Sequence, residues 1–117
     1  MSKTGERRRH RRTPVKLKGN KIDQEAKKHI FIENISELGI YVVTSPSHMK
    51  EIHRKGDHVA VKLNLPSEEV VTLYCRVSWM REENLGEETV NHIGLEIINP
   101  PQPYRDFVKN LQENTMD

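Results

Sequence analysis

Three runs of strict apolar alternation limit what this chain can fold into. Val59, Val61, Leu63 and Leu65 share one parity, Leu73, Cys75, Val77 and Trp79 repeat it, and Ile93, Leu95 and Ile97 repeat it again. A two-residue period puts each set on one face of an extended strand, because successive strand side chains point to opposite sides. Cys75 and Trp79 are accordingly expected in the core. Gly94, inside the third run, is expected to admit a close backbone approach. Earlier in the chain, Val15 and Leu17 alternate with Lys16 and Lys18 up to a turn signal at Gly19-Asn20. Strand character returns over residues 29–33 and over the β-branched stretch 39–44, which ends at Ser45-Pro46-Ser47. Residues up to 55 read as a connecting loop, and the acidic stretch 82–88 as a turn.

The period changes after Pro101 and Pro103. Tyr104, Phe107, Val108 and Leu111 stand at i, i+3, i+4 and i+7, which predicts one amphipathic helix over about 101–114. Six or so short antiparallel strands must hide their edges, and a small barrel with the helix packed on one opening does so. With 117 residues, 34% of them hydrophobic, the chain has material for one modest core. The expected class is therefore mainly β: a small six-stranded antiparallel barrel with a C-terminal helix, spanning residues 13–117.

Residues 1–12 are different in kind. They show no apolar periodicity, and residues 1–30 carry 11 Lys and Arg against 3 Asp and Glu, while the rest of the chain carries 8 against 14. The overall charge of +2 thus conceals a flexible basic arm ahead of an acidic domain, and an anionic partner should meet the arm first. No apolar run approaches the roughly 20 residues that span a bilayer, and the first residues lack the apolar centre of a signal peptide, so a cytoplasmic location without membrane insertion is expected. The single cysteine can make neither an internal disulfide nor a thiolate metal site, in keeping with a reducing compartment.

Two motifs carry candidate chemistry. The first is the cluster Arg7-Arg8-Arg9-His10-Arg11-Arg12, whose guanidinium forks match phosphate oxygens and the O6/N7 edge of guanine. The second is Asn34-Ile35-Ser36-Glu37-Leu38-Gly39, a compact polar turn in which glycine is expected to accept backbone angles costly for other residues. Alone, the arm would be a solvated tail or a nonspecific anchor for nucleic acid, and the turn an ordinary Asx or Ser turn. His48, His53 and His58 recur every five residues, which is neither a helical pair nor one strand face, so they read as surface residues and no metal site is expected. No phosphate loop or nucleophile elbow occurs, and nothing argues for an enzyme.

The two motifs in this order, from Glu6 through Val15 and then Asn34 to Gly39, resemble the PilZ domain family. Cys75-Arg76-Val77-Ser78-Trp79 and His92-Ile93-Gly94-Leu95-Glu96-Ile97 are similar to that family's late strands. The resemblance implies a six-stranded barrel with a C-terminal helix and binding of cyclic di-GMP, with no further cofactor. Both Arg7 with Arg11 and Arg8 with Arg12 satisfy the Arg-x-x-x-Arg spacing. Thr13-Pro14-Val15 following directly favours Arg8 and Arg12 by resemblance, with Arg7 auxiliary. The implied ligand set is Arg7, Arg8, Arg12, Asn34, Ser36 and Gly39, with Arg11 and Gly94 as additional candidates. The implied role is a cyclic di-GMP receptor that changes its surface for an unidentified effector protein in bacterial motility, biofilm or exopolysaccharide control. The other readings are a PilZ-like interaction module without nucleotide binding and, less favoured, a basic-arm nucleic-acid binder.

Overall fold

Where apolar residues alternate, strands form, and here they close on themselves. The computed structural model describes residues 12–22, 27–47 and 53–114. Six strands, β1 (Thr13–Ile22), β2 (Lys27–Ile35), β3 (Gly39–Thr44), β4 (His58–Asn64), β5 (Val70–Leu85) and β6 (Glu88–Ile98), are followed by one helix, α1 (Gln102–Asn114). All pairings are antiparallel, and the order β1-β2-β3-β6-β5-β4 closes into a barrel. The expected fold class holds.

The inward faces follow the alternation. Val59, Val61, Leu63, Leu73, Cys75, Val77, Ile93, Leu95 and Ile97 are buried, joined by Ile30, Ile32, Ile35, Ile40 and Val42 from β2 and β3. Tyr104 and Val108 of α1 complete this core, with Phe107 and Leu111 partly buried against it. Each such side chain contributes roughly 1.5–3 kcal/mol by leaving water. The helix is thus held by its apolar stripe.

Four local expectations are corrected. Trp79 is not in the core but 42% exposed, because the β5–β6 register shifts between Val77 and Trp79 and this bulge turns the residues beyond it over. Gly19-Asn20 is not a turn. β1 runs through it to Ile22, and Gly19 lies where a Cβ would stand 2.7 Å from the Lys62 carbonyl oxygen, so glycine permits two strands to approach rather than one to reverse. The stretch 82–88 is mostly strand, and the hairpin turns only at Gly86-Glu87, with Gly86 at φ 79°, in the left-handed region that glycine enters at little cost. Gly94 receives a side chain rather than a backbone: the pyrrole portion of the Trp79 indole lies over it, where a Cβ would overlap Nε1, Cε2 and Cδ1.

The seam between β1 and β4 is short, running from Gly19 opposite Leu63 to Ile22 opposite Ala60, whereas β5 and β6 pair from Tyr74 to Leu85. The β5–β6 ribbon therefore extends past the ring.

Burial pushes the Cys75 thiol up to about 12 from 9.0, and burial, then the neighbouring Cys75, raises the Tyr104 phenol as well. Both groups stay protonated in the folded state at pH values where the unfolded chain releases those protons. Above pH 9 the unfolded chain then binds fewer protons, so stability is constant with respect to these groups below that pH and falls as pH rises towards 12. Urea midpoints should be lower at about pH 10.5 than at about pH 8. At the lower pH, Cys75 should react with iodoacetamide only after unfolding.

Candidate functional site

The Asn34–Gly39 motif spans the end of β2, a three-residue turn and the first residue of β3. The Ser36 N–H and hydroxyl both donate to the Gly39 carbonyl, at 2.8 and 3.3 Å, closing the turn on itself. From the helix, the buried Tyr104 hydroxyl donates to the Ser36 carbonyl at 2.6 Å, and from β6 the Ile97 N–H donates to the Leu38 carbonyl at 2.9 Å. Arg105 reaches Glu37 at 3.5 Å. Helix and barrel together therefore fix a loop that would otherwise be loose.

Gly39 does not carry the left-handed backbone expected of it, since the only glycines with positive φ among the described residues are Gly56 and Gly86. Its requirement is space. A Cβ there would stand 3.3 Å from the Leu95 carbonyl and 3.6 Å from Ser36 Oγ, tight against both.

Cross-strand register organises the outer surface around the motif into two rows. In one, Ser36 faces Gly39 across the turn, Gly39 faces Glu96, and Glu96 faces Arg76. In the next, Pro14 faces Asn34, Asn34 faces Tyr41, Tyr41 faces Gly94, and Gly94 faces Trp79. Five strands contribute to that second row. Arg12, exposed, immediately precedes Thr13, which pairs with Ile35, so the arm joins the barrel beside the motif. Arg7, Arg8 and Arg11 lie outside the described residues.

The polar groups here differ in how far they are engaged. Asn34 Oδ1 and Thr13 Oγ1 are buried and have no hydrogen-bond partner among the described residues. An orphaned buried acceptor is costly, and native proteins rarely leave one without a reason. Arg76 is paired with Glu96, Nε at 3.1 Å and a terminal nitrogen at 2.6 Å, both half-exposed, so this pair is worth under about 1 kcal/mol and can exchange partners readily. Ser36 is 4% exposed, and its hydroxyl proton is committed to the turn.

The sequence motif matches the PilZ domain model over residues 6–112. The chain belongs to the PilZ domain family. Solved structures agree in fold. The PilZ domain of YcgR from Escherichia coli, solved with c-di-GMP, superposes with a TM-score of 0.69 at 14% identity, covering 92% of this chain and 93% of that one. The Bacillus subtilis inhibitor of motility MotI/DgrA gives 0.70 at 20% identity over 94% of this chain and 53% of that chain. The Borreliella burgdorferi PlzA protein in complex with c-di-GMP gives 0.60 at 11% identity over 94% and 52%. The chain thus spans nearly all of an isolated PilZ domain but about half the length of the two larger proteins. No curated protein matches the sequence.

Within this PilZ domain, sequence reasoning named Asn34, Ser36, Gly39 and Gly94 but missed Tyr41, Arg76, His92 and Glu96. Tyr41 faces Asn34 through the β2–β3 hairpin register, and Arg76, His92 and Glu96 join the surroundings of the motif only through β3–β6–β5 register, which no local pattern encodes. Among the described residues no group of His, Cys, Asp and Glu suits a metal ion, and no helix is long and apolar enough to cross a membrane.

Proposed function

We propose that this PilZ domain is a cytoplasmic receptor for cyclic di-GMP, which it holds between the arginines of the arm and the outer face of β2 and β3. The observation carrying this reading is the unpartnered Asn34 Oδ1 beside the point where the arm enters β1. Guanine presents N1–H and N2–H donors along one edge, and a fixed amide acceptor suits them. Arg8 and Arg12 would clamp phosphate and the O6/N7 edge through paired, charge-assisted bonds that lysine cannot reproduce, with Arg7 and Arg11 adding positive potential. Ser36 and Gly39 shape the ledge, the first by closing the turn and the second by leaving room above β6. Two of the structural relatives were solved with c-di-GMP, and one is named for inhibition of motility, which supports the ligand and suggests an effector in motility control.

Signalling follows if the arm folds onto the barrel with its ligand and alters the surface offered to that effector. Ordering the arm costs conformational entropy that the phosphate contacts must exceed. Amide exchange across residues 1–14 should slow on adding cyclic di-GMP, and unchanged exchange would rule the arm out.

The direct test is isothermal titration calorimetry at about 150 mM salt. Cyclic di-GMP should bind saturably while cyclic di-AMP and GTP do not. Asn34→Ala should bind up to about tenfold more weakly, the worth of one lost hydrogen bond or slightly more. Affinity for long polyanions that falls steeply with salt, without preference for guanine, would instead indicate a nucleic-acid binder.

A further inference from the structure

The ribbon that extends past the ring is open along one edge. Among the described residues, β4 accompanies β5 only from Val70 to Arg76, and the last bonds on that side join Val77 to Gly56 and Asp57, each at 2.8 Å. From Trp79 to Leu85, β5 pairs with β6 alone, while β6 is stitched on its far side to Ser47 through Thr89. Residues 81–87 are exposed on both faces of the ribbon, Leu85 to 50%. A two-stranded ribbon is marginal in water, and a row of unpaired N–H and C=O groups is a template for a third strand.

Charge decides what kind of strand. Residues 79–88 hold Arg81 against Glu82, Glu83, Glu87 and Glu88, so two ribbons repel one another and an extended basic segment is favoured. The chain supplies such a segment in its arm, where residues 7–12 are five arginines and a histidine. Six extended residues span about 20 Å, close to the roughly 23 Å from Trp79 to Leu85. A barrel's own arm cannot lie there. Thr13 faces Ile35, Ile35 faces Ile40, Ile40 faces Leu95, and Leu95 faces Val77. With strands about 4.8 Å apart, a strand added outside β5 stands five spacings from Thr13, about 24 Å around the barrel, whereas the chain from Thr13 back to Arg7 reaches about 20 Å. Across the β1–β4 seam the way is longer, since Ile22 faces Ala60 and Ala60 faces Tyr74, still short of Trp79.

We propose that two copies of this chain pair reciprocally, the arginine arm of each lying as a strand on the acidic β5 edge of the other. A two-fold axis closes the pair with two equal contacts. Resting on the cyclic di-GMP reading above, Arg8 and Arg12 serve the partner's ribbon when nucleotide is absent and the nucleotide on their own barrel when it is present. Binding the messenger then separates the copies and uncovers the acidic edge.

Sedimentation velocity on the full chain tests this at about 50 mM and about 500 mM salt. The expected result is a dimer at low salt that dissociates at high salt. Two charge-reversed variants would be compared with the parent: Glu82→Lys with Glu87→Lys and Glu88→Lys on the ribbon, and Arg8→Glu with Arg9→Glu and Arg11→Glu on the arm. Each alone should self-associate about tenfold more weakly or worse, with the melting temperature of the parent. Their equimolar mixture should dimerise again, because each arm then meets a ribbon of opposite charge. A parent that stays monomeric at low salt, or a mixture that does, would overturn the pairing. Cyclic di-GMP should convert the parent dimer to monomer. A dimer that persists while calorimetry registers nucleotide binding would overturn the sharing of the arginines. No heat with any nucleotide would overturn the receptor reading and leave the pairing to be decided by the mixture.

Discussion

Replacing Arg8 and Arg12 together by alanine is expected to weaken cyclic di-GMP binding at least a hundredfold. Hydrogen bonds to a charged group are worth about 1.5–3 kcal/mol each, so two clamping guanidiniums together represent about 3–6 kcal/mol, two to four decades of affinity. The loss should be concentrated in dissociation rate, since Arg9, Arg11 and the lysines of β1 keep the potential that guides the anion in. Calorimetry and stopped-flow on parent and double variant would measure both. Lysine at the same two positions should recover little, because an ammonium cannot make the paired bonds of a guanidinium. A double alanine variant that binds like the parent would show that the Arg7 and Arg11 register is used instead.

The second large effect is structural. Tyr104→Ala should destabilise the domain by about 3–5 kcal/mol, the range for emptying a buried aromatic site. Against a total of about 5–15 kcal/mol for a small domain, that is a large share, visible as a clear shift in urea midpoint. Tyr104 is fully buried, and its hydroxyl serves the Ser36 carbonyl, so the same residue fills the core and fixes the candidate ligand turn. Tyr104→Phe separates the two roles. It keeps the ring, leaves the Ser36 carbonyl without its donor, and should cost about 1–3 kcal/mol. If the phenylalanine variant is as stable as the parent, the helix holds the turn by packing alone.

How much of this could be read from the chain depends on the range of the interaction. Period-two runs in β4, β5 and β6 gave the strands and most of the inward faces, because burial on one face of a pleated strand is a local rule. The helix stripe from Tyr104 to Leu111 was legible for the same reason. Trp79 was not: one extra residue in β5 after Val77 inverts every later side chain, and nothing in Ser78-Trp79 marks the bulge. Gly19 reads as a turn signal but lies inside β1 against the Lys62 carbonyl, and Gly94 reads as a close backbone approach but lies under the Trp79 ring, because a glycine marks a bend or a gap without saying which, or what fills it. Asn34, Ser36 and Gly39 were visible as a motif. Their continuation through Tyr41 to Trp79, and through Glu96 to Arg76, depends on strand order β3-β6-β5, which brings together residues more than 30 positions apart.

The short seam at Gly19–Ile22 has a consequence for endurance. Local opening starts where least must be undone, so β1 should lift from β4 before any other staves part, and its amides should exchange first. Since β1 is also the strand into which the basic arm runs, a nucleotide gripping the arm and β2 at once would act as a hoop around the ring. Resistance to proteolysis and heat would then rise with the logarithm of nucleotide concentration, letting the cellular level of the messenger set the lifetime of its own receptor.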